Sequence, residues 1–142
     1  MKKRIFAALC ALLLILSLSA CAAKKTTCTL TIACETALTS AELDAETVAA
    51  LPSDGYLLPA TEVEFTDGES VLEVLRRTAQ EHALTLDVVD GEYPYVNAIG
   101  ELAGGSAGPM AGWLFSVNGE YPSVGAADIK VQAGDAIVFS YT

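Results

Sequence analysis

The stretch Gly112-Trp113-Leu114-Phe115-Ser116-Val117-Asn118-Gly119-Glu120-Tyr121-Pro122 decides the fold. Asn118-Gly119 is the strongest short hairpin signal, because both residues tolerate the positive φ of a type I′ turn. A two-residue loop here sets Val117 opposite Glu120, Phe115 opposite Pro122 and Trp113 opposite Val124. Trp113, Phe115, Val117, Pro122 and Val124 then share one face, and Leu114, Ser116, Tyr121 and Ser123 the other. The first face reads as core. Pro122, however, blocks continued pairing, and Gly125 lets another surface approach the backbone. An irregular, small-residue edge beside aromatics is a place for a ligand. Trp113, the only tryptophan, therefore has two open readings: core packing or ligand contact.

Working outward, Ala126 to Val131 leads to the turn Gln132-Ala133-Gly134-Asp135. The strand Ala136 to Thr142 follows, with Ile137, Phe139 and Tyr141 on one face. Upstream, Gly100 to Gly112 is glycine-rich and reads as an irregular loop. Tyr95 to Ile99 and Leu84 to Val89 read as strands joined at Asp90-Gly91. The clearest helix runs from about Val71 to His82. Ser70-Val71-Leu72-Glu73 forms its capping box, and Val71, Leu72, Leu75, Ala79 and Ala83 recur at helical spacing. Tyr56 to Leu58 and Thr61 to Phe65 are short extended segments. A short helix around Ala41 to Leu51 is stopped by Pro52, and Thr29 to Cys34 alternates as a first strand. Short strands around one capped helix define an α+β domain. A first strand, a helix across a mixed sheet and later hairpins make it β-grasp-like.

The chain starts Met-Lys-Lys-Arg, then runs apolar from Ile5 to Leu18. This is the pattern of a secretory signal. Leu18-Ser19-Ala20-Cys21 resembles a bacterial lipobox, which implies cleavage before Cys21 and lipid on its sulfur. The expected organisation is signal peptide 1–20, lipidated Cys21 and short tether 21–27, and domain 28–142. The protein is expected to be exported and lipid-anchored in the cell membrane, on the extracellular face. Lys2, Lys3 and Arg4 are three of the eight basic residues; the other five face eighteen Asp/Glu, a formal balance of −13. That acidity argues against a nucleic-acid partner. Cys34 is expected as a buried thiol and Cys28 near the tether. In a single strand the two would be about 20 Å apart, too far for a mutual bond unless Cys28 lies outside it.

Catalytic sets are missing. His82 is the only histidine and falls at a helix end, where the dipole favours it. No nucleophile motif accompanies it, so no enzyme is expected. Gly104-Gly105-Ser106-Ala107-Gly108 lacks the ending of a phosphate loop. The Asp-Gly-Glu triplets at 67–69 and 90–92 offer only scattered oxygens, which leaves weak cation binding as an alternative. Aromatics cluster instead, with Tyr93 and Tyr95 before one strand and Trp113, Phe115 and Tyr121 in the hairpin.

The run from Gly112 to Thr142 resembles the C-terminal half of the transcobalamin-like C-terminal domain family, a bacterial domain of unknown function. The shared features are Gly-Trp, Ser-Val-Asn-Gly, a Gly-Ala segment, Gly-Asp and a closing aromatic-Thr. The stretches TLTIAC, LPSDGYLL, EVEFTDGESVLEVLRR and YVNAIG resemble its N-terminal half, in order. The resemblance implies a fold similar to the β-domain of the vertebrate cobalamin carriers, which covers one face of a corrinoid while a helical barrel holds the other. It places Trp113, Phe115 and the segment Tyr121, Pro122, Ser123, Val124, Gly125 and Ala126 on the ligand side, with Tyr95 at a neighbouring strand end. The implied ligand is cobalamin, a related corrinoid or another flat hydrophobic molecule. An envelope protein supplying a second half-site is the implied partner. The alternatives are a protein–protein interaction module at the cell envelope, pairing through the hairpin edge, and a weak metal-binding domain.

Overall fold

A computed structural model describes residues 26–142 of the chain. The expected signal segment, and Cys21 with it, lie outside the described residues. Thr26 and Thr27, read from sequence as tether, open the first strand, β1 (Thr26–Ala33). Cys28, Leu30 and Ile32 alternate inward along it and are buried, and Cys34 is buried just past its end. A 3₁₀ turn at Glu35–Thr39 and a short helix α1 (Ala45–Ala50) follow. The helix expected around Ala41 to Leu51 thus forms only over Ala45–Ala50, and the 3₁₀ turn precedes it. Asp44 caps α1 by accepting from the Thr47 N–H, which fixes its start.

Strand β2 (Tyr56–Phe65) is one strand where two short segments were expected. Pro59 is accommodated because β2 lies at a sheet edge, at a register shift between Leu30–Thr61 and Ile32–Leu58. Helix α2 (Val71–Glu81) buries Val71, Leu72, Val74, Leu75, Thr78 and Ala79. Its capping box forms as the sequence indicates: the Ser70 hydroxyl accepts from the Glu73 N–H, and the Glu73 carboxylate accepts from the Ser70 N–H. The end differs. Ala83, expected on the apolar stripe, is exposed with φ +54°. The Ala83 N–H donates to Gln80 O and the Leu84 N–H to Ala79 O, a Schellman closure. Because Leu84 is used in that closure, β3 runs only from Leu86 to Val89.

Strands β4 (Tyr95–Ile99) and β5 (Leu102–Ala103) join β3 in a three-stranded antiparallel sheet, order β3-β4-β5. The stretch read as an irregular loop therefore holds a strand, because the apolar Leu102 is fully buried. Strands β6 (Trp113–Val117) and β7 (Ala136–Tyr141) complete a four-stranded mixed sheet, order β2-β1-β7-β6, with β1 and β7 parallel. The fold is α+β and β-grasp-like. One apolar cluster packs Leu30, Ile32, Ile137 and Phe139 against Val71, Val74 and Leu75 of α2. A smaller one gathers Cys34, Ala37, Leu51, Leu102 and Tyr141.

The turn at Asn118-Gly119 takes the expected geometry, with φ +55° and +81°. The return arm does not form. Val117 bridges Glu120, after which the chain leaves the strand, since Pro122 has no N–H to give. The partner of β6 is β7 instead: Trp113 faces Tyr141, Phe115 faces Phe139 and Val117 faces Ile137. Asn118 secures this pairing, its side chain donating to Asp135 and accepting from the Ala136 N–H.

Candidate functional site

The departure of the chain at Pro122 opens a groove between the two sheets. Its volume is about 320 Å³. Phe115 and Phe139 form the floor, with ring centroids 5.5 Å apart and planes inclined by 23°. Leu72 and Ala126 close one side, and Pro94, Tyr95 and Val96 form a wall from the other sheet. Tyr121 and Pro122 stand at the mouth.

Helix α2 positions the Leu72–Ala126 side of the groove. Its first N–H groups have no intrahelical acceptor. The Val71 N–H donates to Ile129 O at 2.9 Å and the Leu72 N–H to Ala126 O at 3.0 Å. The irregular loop after Gly125 is thereby clamped to the helix start. Gly125 rests beside the Pro94 carbonyl; a Cβ added there would lie 3.6 Å from that oxygen, an ordinary contact.

Trp113 serves both readings that the sequence left open. Its ring meets Tyr141 edge-on at 5.3 Å, and its indole N–H donates to Leu102 O at 2.9 Å. It packs against both apolar clusters and still lines the groove. Tyr141 is held in turn, donating to Ala103 O and accepting from the Ala107 N–H.

Of the residues singled out from sequence, Tyr95, Trp113, Phe115, Tyr121, Pro122, Gly125 and Ala126 come together around the groove. Ser123 and Val124 do not line it; both are exposed, Val124 by 52%. Leu72, Pro94, Val96, Leu114 and Phe139 also line it and were not singled out. The alternation of the closing strand placed Phe139 inward, but nothing local to Pro94 or Val96 signals a partner in another sheet. Tyr95 and Tyr121 remain largely exposed, at 56% and 66%.

Groups with shifted titration lie outside the groove. Burial pushes the Cys28 and Cys34 thiols up, and both are free. Among the described residues no three His, Cys, Asp or Glu side chains gather as a metal site would require. His82 is exposed at the C-cap of α2, outside the groove.

The chain thus forms a β-grasp-like α+β domain with an aromatic groove between its two sheets. Residues 68–142 match the family described as Domain of unknown function (DUF4430), and the chain belongs to that family. No curated protein matches the sequence. Among solved structures, haptocorrin in complex with Cbi is similar, with a TM-score of 0.58 at 15% identity over 84% of this chain. This chain covers a quarter of haptocorrin, 25% of its length. A candidate metal-binding protein of Ruminococcus gnavus ATCC 29149 aligns at a TM-score of 0.48 and 17% identity, over 83% of this chain and 97% of that one.

Proposed function

We propose that this protein is a non-enzymatic binding module, lipid-anchored through Cys21 at the extracellular face of the membrane, whose groove receives the apolar face of a corrinoid. One observation carries the ligand reading: an open apolar groove of about 320 Å³ whose aromatic floor is Phe115 over Phe139 and whose mouth exposes Tyr95 and Tyr121. Such a surface offers flat contact area with few polar demands. The fold shared with haptocorrin, a protein solved with Cbi bound, supports this choice of ligand. A domain of this size covers one side of such a ligand, so affinity rests on a partial enclosure.

The test is titration of the purified full chain with cyanocobalamin and with dicyanocobinamide. Binding is read by calorimetry and by fluorescence of the single tryptophan, corrected for corrinoid absorbance. A saturable signal that weakens in Tyr121→Ala supports the reading; no saturable signal up to high micromolar ligand sinks it. Membrane retention lost in Cys21→Ala supports the anchor, and unchanged processing and retention refutes it.

A further inference from the structure

The two edges of the four-stranded sheet are built differently. β2 is interrupted by Pro59 at a register shift and carries Glu62 and Glu64, devices that discourage edge pairing. β6 has the sequence WLFSV, with no charge and no proline, and pairs with β7 in unbroken register. Gly112 and Thr142 exchange both N–H···O bonds, at 2.9 Å each. In an antiparallel ladder such pairs alternate, so the backbone groups of Trp113, Phe115 and Val117 turn away from β7. Those of Val117 are taken by Glu120. The chain then leaves at Pro122, and among the described residues no strand pairs the outward groups of Phe115 and Trp113.

We propose that this edge of β6 is a docking site for an extended, basic segment of a partner protein, which adds a strand by pairing with Trp113 and Phe115. Alternate side chains of that segment would enter the apolar groove, as strand addition requires. Charge selects the occupant. Residues 26–142 hold eighteen Asp/Glu against Arg76, Arg77 and Lys130. Glu120 adjoins Tyr121 at the groove mouth, Asp128 lies beside Gly125, and Glu92 precedes the Pro94 wall. A second copy of this chain would set acid against acid, whereas Lys or Arg on the incoming strand meets complementary charge. This inference goes beyond the ligand reading and does not rest on it.

The experiment uses a fluorescein-labelled, end-blocked nine-residue peptide alternating Lys and Val, titrated into the purified full chain and followed by anisotropy. Three companions run in parallel: a Glu/Val peptide, the Lys/Val peptide N-methylated at alternate residues, and the variant Glu120→Lys/Asp128→Lys. Saturable binding is expected for Lys/Val. Affinity should fall about tenfold or more on N-methylation, which removes edge donors, and for the Glu/Val peptide. The charge-swapped variant should invert the preference between Lys/Val and Glu/Val. Amide exchange at Trp113 and Phe115 should slow on binding. Binding indifferent to N-methylation, absence of saturation near 1 mM, or sedimentation showing self-pairing in place of peptide binding would overturn the proposal.

Discussion

At the residue scale, Trp113 shows how one side chain serves two surfaces. Its ring edge and indole N–H belong to the interior, through Tyr141 and the Leu102 carbonyl, while part of the ring lines the groove. The substitution Trp113→Phe separates these roles. An aromatic ring remains against Tyr141, but the Leu102 carbonyl loses its donor. A hydrogen bond of this kind contributes about 1 kcal/mol. Urea unfolding followed by circular dichroism should therefore show destabilisation of about 1–2 kcal/mol, the excess coming from lost ring area. An unchanged midpoint would mean that the indole N–H bond contributes nothing to the fold. Tyr121 is the contrast: exposed and without a resolved partner bond, it should cost little stability when truncated and report on ligand alone.

Elements were legible where local chemistry decides them. The capping box at Ser70 and the Asn118-Gly119 turn are each set by two residues and both form as read. The inward faces of β1 and β7 follow from alternation. What stayed hidden depends on distant partners. The arm after Glu120 was read as the mate of β6; it begins on the outer edge through the Val117–Glu120 bridge but stops at Pro122, which cannot donate, while β7 takes the opposite edge, secured by Asn118 through Asp135 and Ala136. The groove was half legible for the same reason: its hairpin side lies in one stretch, whereas Pro94, Val96 and Leu72 arrive from elsewhere. The end of α2 falls within a residue of its reading, but Ala83, placed on its apolar stripe, adopts a conformation usually given to glycine. Its φ of +54° carries a left-handed cost of about 1 kcal/mol for an L-residue. Ala83→Gly keeps the closing bonds to Gln80 and Ala79 and removes that cost. Stability should rise by about 0.5–1 kcal/mol, partly offset by the greater freedom of glycine in the unfolded chain. A drop in the urea midpoint would show that Ala83 is unstrained.

At the scale of the whole molecule, charge imbalance governs stability. Eighteen acidic residues face three basic ones over residues 26–142, so the folded state at neutral pH works against its own repulsion. Added salt should raise the melting temperature by screening it. Mild acid should do the same by protonating exposed carboxylates. An opposing effect arises where the native fold prefers the charged form. Glu73 is held below the usual carboxylate range, first by the Ser70 N–H and then by the Ser70 hydroxyl. Asp44 is held down by the Thr47 N–H and then by its hydroxyl. A carboxylate with a depressed folded value contributes stability that is present above its unfolded value and lost as pH falls through the folded one. Relief of repulsion therefore dominates from pH 7 downward, and loss of the two caps dominates below about pH 4. The melting temperature should pass through a maximum at about pH 4 and fall on further acidification. Calorimetric scans from pH 3 to 8 in low salt test this, and 0.5 M salt should flatten the rise between pH 7 and 5. In Glu73→Gln the acid limb should be shallower, because one of the two depressed carboxylates is gone. A melting temperature that falls steadily from pH 7 would show that paired carboxylates, not excess charge, set the balance.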